Sequence, residues 1–439
     1  MTDMSQGVSV LGWSDFVGLI RCRAVPSHEM ASRMEFGLGW AVAGQSLTPF
    51  ADIAPNPWGP MTEVRQIPDP NAHVQLVTPS NSAPFDLYLC DSKNTDGSTW
   101  DCCTRGFARQ ALERLETEHG LQLVGAFEHE FTLMGSDFAP GPPFSFEAMR
   151  VAARFTADLS DALTEAGLEP ETIEPEYGYL QYEVTTAPAI GLAVADRAIF
   201  TREVIREVAR WHNMRATFSP KPTPDGVGNG AHIHFSFADS DGKNVTFDPS
   251  NASQASSFSE SFIAGVLDHM QALVAYTAPS PVSYLRLGPH HWSCGFASFG
   301  IQNREAAIRI CPSPSPDPQV QSKGFNLEYR PVDATASPYM VVGSLIQAGL
   351  DGVVRKLPLP ARCDVDPADL SEAQRVELGI VALPSTLSEA LQALSLNKVA
   401  RSWMSDIMYT AYTDLKKTEI KIAAAQSPDE VCSRHANIY

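Results

Sequence analysis

Positive charge is scarce in this chain: 32 lysines and arginines stand against 51 acidic residues, a formal net charge of −19. Without a basic cluster there is nothing to neutralise nucleic-acid phosphates or an anionic membrane surface, which argues against both as partners. No stretch approaches the roughly 18 uncharged apolar residues of a membrane span. The opening MTDMSQGVSVLGW also lacks the basic start and apolar run of a signal peptide. These absences lead us to expect a soluble, cytoplasmic protein. The eight cysteines, at 22, 90, 102, 103, 294, 311, 363 and 432, form no CxxC pair and no regular framework, so they read as reduced, mostly structural thiols. Nucleotide signatures are missing as well. GVGNGAH has glycines but no Lys-Ser/Thr behind them, and GxGxxG is absent. Any nucleotide is therefore held by another fold.

What is present is a chain of 439 residues, 44% hydrophobic, enough for a large core in two or three domains. The first hundred residues carry Pro, Gly and Asn between short apolar runs and read as a small, strand-dominated unit. A helix is predicted from Thr104, with Phe107, Ala111, Leu112 and Leu115 at helical spacing and Gly120 ending it. One long strand, LQLVGAFEHEFTLM, follows. Further helices are expected at 146–166, 194–212, 255–276 and 338–351, and strands at LQYEVTTA, RATFSP, AHIHFSF, AAIRIC and NLEYRP. Pro358–Pro367 reads as a linker and 385–425 as a helical tail. No internal repeat or low-complexity tract is visible.

Three of those strands carry polar pairs two residues apart: Glu128 and Glu130, His232 and His234, Glu328 and Arg330. Strand side chains alternate between faces, so each pair projects to one side. Glu176 and Glu183 in EYGYLQYEV add two more carboxylates. Carboxylates gathered in one space repel unless protonated or bridged by cations. Oxygen ligands with one imidazole suit Mg²⁺ or Mn²⁺ better than zinc. Arg286, Arg304, Arg309 and Arg330 join this set, and metals with several arginines point to an anionic ligand whose charge moves, as in phosphoryl transfer.

These segments resemble the glutamine synthetase family. EHEF resembles its ExEF strand, EYGYLQYEV its E-Y-G-P-G-Q-Y-E segment and RATFSPKP its ATFMPKP. GNGAHIHFS resembles GSGMHVHQS, and SYLRLGP with GIQNREAAIRI resembles SYKRLVP and NRSAxIRIP. EYRPVDATASPY resembles E-x-R-x-x-D-x-x-x-N-P-Y. The resemblance implies an α+β fold: a β-grasp N-terminal domain at 1–100, then a catalytic domain at 101–439 with a curved antiparallel sheet and flanking helices. It implies a homo-oligomeric ring, hexamer or dodecamer, using ATP and two to three Mg²⁺ or Mn²⁺. Carried over by position, Glu130, Glu176 and Glu183 hold one metal, and Glu128, His232 and Glu328 the other. Arg286, with Gly228 and Gly230, binds the substrate α-carboxylate. Arg304, Arg309 and Arg330 meet the transferred phosphoryl group, and Thr217, Phe218, Ser236 and Arg309 lie along ATP. The implied reaction phosphorylates the γ-carboxylate of glutamate, and an amine then attacks the acyl phosphate.

The chain departs from the family where ammonia is handled. Relatives carry GYEAP in a flap over the site; here HHWSC stands instead, so the flap glutamate is replaced by Trp292. The N-terminal Asp-Gly-Ser-Ser loop corresponds to FGLGWAVAGQSLTPF, which holds no acidic residue. Leu180 replaces a usual glycine and Val227 a usual asparagine. Both acidic losses remove negative charge from an ammonium site. The expected activity is therefore ligation of glutamate to a small alkyl or aryl amine packed against Trp292, with His290 or His291 as base and no nucleic-acid or membrane partner. The alternatives are an ammonia-using synthetase with a rearranged site, a guanidino-phosphotransferase and a non-catalytic assembly protein.

Overall fold

The protein is described from a computed structural model covering residues 7–80, 82–136, 138–290 and 293–439. Five strands form the first sheet: Val8–Ser14 (β1), Ile20–Pro26 (β2), Leu38–Ala41 (β3), Glu63–Leu76 (β4) and Phe85–Lys93 (β5). Their order is β2-β1-β5-β4-β3, with β1 and β5 parallel and the other neighbours antiparallel.

The next strands sort into a six-stranded sheet, a four-stranded sheet and a two-stranded pair. They are Gln122–Phe127 (β6), His129–Met134 (β7), Pro170–Pro175 (β8), Gln181–Thr186 (β9), Ala189–Ile190 (β10), Arg215–Thr217 (β11) and Ile233–Ala238 (β12). Phe296–Ala297 (β13), Phe299–Ile301 (β14), Ile308–Ile310 (β15), Leu327–Tyr329 (β16) and Val381–Ala382 (β17) follow. The six-stranded sheet runs β10-β6-β12-β16-β15-β14, antiparallel except for the β14–β15 edge pair, the four-stranded sheet runs β11-β7-β9-β8, and β13 pairs with β17. The architecture is the expected α+β one, with an N-terminal sheet, then a curled, mainly antiparallel sheet flanked by helices.

The predicted helix from Thr104 spans Thr104–His119, and Gly120 follows in the left-handed conformation at φ 66°. Two expected helices prove broken. The 146–166 segment divides at Ala152, and the 255–276 segment divides at His269, whose ring is held by Asp351 at 2.8 Å and by Asn397 at 2.8 Å. The expected tail over 385–425 is three helices, Leu387–Leu396, Lys398–Ser402 and Asp406–Ala424, and a further helix, Pro428–Ala436, follows it. Buried Arg105 ties the first sheet to the remainder: its guanidinium reaches Asp69 at 2.8 Å, Asp91 at 3.0 Å and Asp196 at 2.8 Å. Removing one partner of such a buried network costs about 3–5 kcal/mol, because the remaining charges lose their counter-ion.

Candidate active site

The expected single strand over 121–134 breaks at Glu128, and that break builds the site. β6 ends at Phe127 and β7 begins at His129, while the Glu128 N–H donates to the His232 carbonyl at 2.9 Å. The chain thereby passes from the six-stranded sheet to the four-stranded one with Glu128 and Glu130 at the seam. On the six-stranded sheet, Arg309, Glu328 and His234 are neighbours in one cross-strand row. On the four-stranded sheet, Glu130 pairs with Glu183, and Glu183 with Glu174. Residues paired this way share a face and interact.

His232 joins the two rows. Its Nδ1 lies 3.5 Å from Glu128, 3.5 Å from Glu328 and 4.0 Å from Glu130. Its Nε2 lies 2.9 Å from an Arg286 nitrogen. A guanidinium only donates, so Nε2 accepts and the ring proton sits on Nδ1, facing the carboxylates. Burial, with Arg330, lowers the His232 pKa and keeps the ring neutral; to ligate a metal through Nδ1 the ring proton would move to Nε2 and the Arg286 contact would open. Gly230 makes the contact possible: a Cβ there would sit 2.3 Å from Arg286 Nη2 and 2.9 Å from His232 Nε2. The Gly230 N–H also donates to Glu130 Oε2 at 2.8 Å. A Cβ at Gly228 would likewise sit 2.7 Å from the Pro220 carbonyl oxygen and 3.0 Å from Arg286 Cγ.

The two sides of the cluster differ electrostatically. Burial opposes ionisation of Glu128, yet His234 and His232 hold it well below the usual carboxylate range. Burial likewise opposes ionisation of Glu328, but Arg330, His234 and His232 bring it to about 2, and it is ion-paired with Arg309 and Arg330. On the other side burial raises Glu176 to about 7, with Glu130 adding to it. Burial, then Glu128, Glu130 and Glu176, push Glu183 well above the ordinary range. Carboxylates crowded so closely that Glu176 stays raised despite the opposing charge of Arg304 fit a divalent cation bound through oxygen. Ligand atoms of Glu130, Glu183 and His232 lie within 4.8 Å of one another, as do those of Glu128, His232 and Glu328.

Other expected residues fall elsewhere. Thr217 and Phe218 are buried, and the Phe218 ring packs on Phe131 and His129 beneath the Arg206 guanidinium, so neither presents a surface to a nucleotide. Ser236 is half-buried on the same face of β12 as His234. Arg304 is exposed on the turn before β15 and acts on Glu176 through charge alone. His290 is 64% exposed with Nδ1 2.9 Å from Asp366, so its contact is with the 366 loop and not with the carboxylates. His291 and Trp292 lie outside the described residues. Leu180 adopts φ 53°, a left-handed conformation that costs an L-residue about 1–2 kcal/mol; its buried side chain offsets this. Two contributors went unassigned. His234 Nε2 approaches Glu128 to 3.0 Å. Gln181 ties β9 to the glycine loop through the Gly228 carbonyl at 2.8 Å and Asn229 Oδ1 at 2.9 Å. Both were readable as same-face neighbours, His234 of His232 and Gln181 of Glu183.

Five carboxylates, a neutral imidazole and buried guanidiniums at the seam of two sheets define an enzyme class that handles polyanions with divalent cations. Comparison with known proteins narrows the class. The glutamine synthetase catalytic domain matches residues 101–433 and the glutamine synthetase N-terminal domain residues 4–100. The chain belongs to the glutamine synthetase family and is an ATP-dependent carbon–nitrogen ligase. A solved structure described as a novel glutamine synthase homolog superposes with TM-score 0.91 at 38% identity, covering 99% of both chains. A γ-glutamylpolyamine synthetase of Streptomyces coelicolor is 32% identical over 98% of this chain and 93% of its own length. A glutamine synthetase of Pyrococcus woesei is 31% identical over 77% and 75% respectively. The family uses ATP and divalent metals, and no described helix is long and apolar enough to cross a membrane.

Proposed function

We propose that this enzyme joins the γ-carboxylate of glutamate to an organic amine through a γ-glutamyl phosphate. The observation that carries the reading is an aromatic rim beside the carboxylates. Tyr177, next to Glu176, is 61% exposed; Tyr179 and Phe144 are each 49% exposed. The Phe144 and Tyr177 rings lie 6.3 Å apart, and the Tyr179 hydroxyl donates to the Phe138 carbonyl, fastening the two segments together. Apolar surface at such a position meets a carbon skeleton, and an aromatic face also attracts an alkylammonium ion. Ammonia offers no carbon skeleton for that surface to meet. The HHWSC stretch, with no carboxylate where ammonia-using relatives keep one, points the same way.

In this reading Glu130, Glu176 and Glu183 hold one Mg²⁺ or Mn²⁺, and Glu128, His232 and Glu328 another. When bound, these ions cancel the repulsion between polyphosphate and carboxylate. Arg286, braced by the Val332 carbonyl at 3.1 Å and by Gly230, binds the substrate α-carboxylate. Arg309 and Arg330 exchange part of their hold on Glu328 for the transferred phosphoryl oxygens. Ser236 lies along ATP. The site is completed by a neighbouring subunit in a ring, so sedimentation should find activity only in the assembled fraction.

The test is product identification. Mass spectrometry of reactions holding ATP, Mn²⁺ and glutamate should find the γ-glutamyl amide of an alkyl or aryl amine, and Tyr177→Ala with Phe144→Ala should raise KM for the amine but not for glutamate. Glutamine as the sole product across methylamine, aniline, putrescine and spermidine would overturn it. Amide formation with the polyamines alone would leave the reaction standing and correct the amine class to that of the Streptomyces relative.

A further inference from the structure

We propose that His234, Cys311 and Glu328 form a further site, sharing Glu328 with the catalytic set, for a thiophilic divalent ion, Zn²⁺, whose occupancy blocks turnover. Their ligand atoms all lie within 4.8 Å of one another. Cys311 Sγ is 3.5 Å from His234 Nδ1, and the His234 ring lies 3.7 Å from Glu328 through Nε2. The main chain fixes the thiol in place: the Cys311 N–H donates to the Asn326 carbonyl at 3.2 Å, and Asn326 Oδ1 lies 2.9 Å from His234 Nδ1. Sulfur, imidazole nitrogen and carboxylate oxygen make a soft-to-borderline donor set, which selects zinc over magnesium. The oxygen-rich cluster next to it selects the reverse.

Position distinguishes this cluster from two others of similar composition. Asp268, His269 and Asp351 are already bridged by Arg355, 2.6 Å and 2.8 Å from the two aspartates. His290, Asp366 and Asp369 lack a soft donor. Cys311 and His234 are half-buried, open enough for an ion to enter. Binding exchanges the thiol proton for the metal: the S–H bond breaks, a Zn–S bond forms and the proton leaves to solvent. His234 ligates the ion through Nδ1 by releasing to solvent the proton that meets Asn326 Oδ1, so that contact opens. Glu328 then turns from Arg309 and Arg330 towards the ion. Turnover is blocked because Glu328 also belongs to the proposed catalytic set. That inhibition rests on the proposed function; the binding itself does not.

Cobalt serves as the probe because a Co²⁺–thiolate bond has a charge-transfer absorption that oxygen ligands lack. The exposed Cys22 is first replaced by serine in the full chain. In excess Mg²⁺, Co²⁺ should then produce the charge-transfer band with one equivalent per chain, displaced by Zn²⁺ and missing in Cys311→Ser. Zinc should inhibit Mg²⁺-dependent turnover at least ~10-fold less effectively in Cys311→Ser, since losing even an outer partner costs 10–100-fold in metal affinity. No band in the parent, or the same band in both proteins, overturns the site. A band lost with Cys311 alongside unchanged zinc inhibition would retain the site and overturn the block on turnover.

Discussion

Replacing Glu176 by glutamine should change stability in opposite directions with and without divalent cations. In the metal-free protein burial, with Glu130, holds Glu176 at about 7 against an ordinary 4.5. A carboxyl raised on folding stabilises fully below its unfolded value, and that stability is lost as pH rises through the folded value. The window here is pH 4.5 to 7. At ~1.36 kcal/mol per pH unit the loss is at most ~3.4 kcal/mol, and solvent reaching the half-buried side chain reduces it to ~1–2 kcal/mol. Glutamine keeps the shape without the charge. Above pH 7 the metal-free variant should therefore be the more stable protein by that amount, with the difference gone below pH 4.5. For a chain of 439 residues, an unfolding entropy of ~2.1 cal/mol/K per residue converts this to ~1–2 °C in Tm. With Mn²⁺ at 100 times its Kd the wild type gains ~2.7 kcal/mol, about 3 °C. The variant, short of a ligand, should gain little. Calorimetry from pH 4.5 to 8, with chelator and with Mn²⁺, measures both. A metal-free variant less stable than wild type at pH 8, or one gaining as much from Mn²⁺, refutes the reasoning.

Glu130→Ala should abolish ATP turnover and leave assembly intact, while near-normal turnover at saturating Mg²⁺ and Mn²⁺ would remove Glu130 from the metal set. Trp292→Glu should shift the ratio of ammonia to organic-amine turnover towards ammonia; an unchanged ratio would show that HHWSC does not choose the nucleophile. His435 is lowered to about 4 by burial, against an ordinary 6.5, so the unfolded chain binds the proton first and stability falls as pH drops from 6.5 to 4, by at most ~3 kcal/mol. His435→Gln should flatten denaturant-melt stability across that window; an unaltered slope would place the burden on other groups.

Residue pairs two apart were legible because a strand's alternation is written in its sequence. Glu128 with Glu130 and His232 with His234 do face one space, and the six cluster residues were all named from quoted segments. The break between β6 and β7 was not legible: a hydrogen bond from Glu128 to His232, some hundred residues on, decides it. Burial hid other features for the same reason. Phe218 sits in a motif but is enclosed by rings from β7 and a guanidinium from the helix Ala193–Trp211. Cys311 had no pattern to mark it, since its partners His234 and Glu328 lie on two other strands. Leu180 carried the opposite signal: its departure from glycine was visible, and the left-handed backbone shows what that glycine would have supplied.

The most direct test of the account is phosphate release by the assembled enzyme with ATP, Mn²⁺ and glutamate, compared between ammonia and a panel of alkyl amines, aryl amines and polyamines at matched concentrations. The account predicts release that depends on both glutamate and an organic amine, with kcat/KM for at least one such amine well above that for ammonia. Ammonia outperforming every amine in the panel, or release that needs no glutamate, would contradict it.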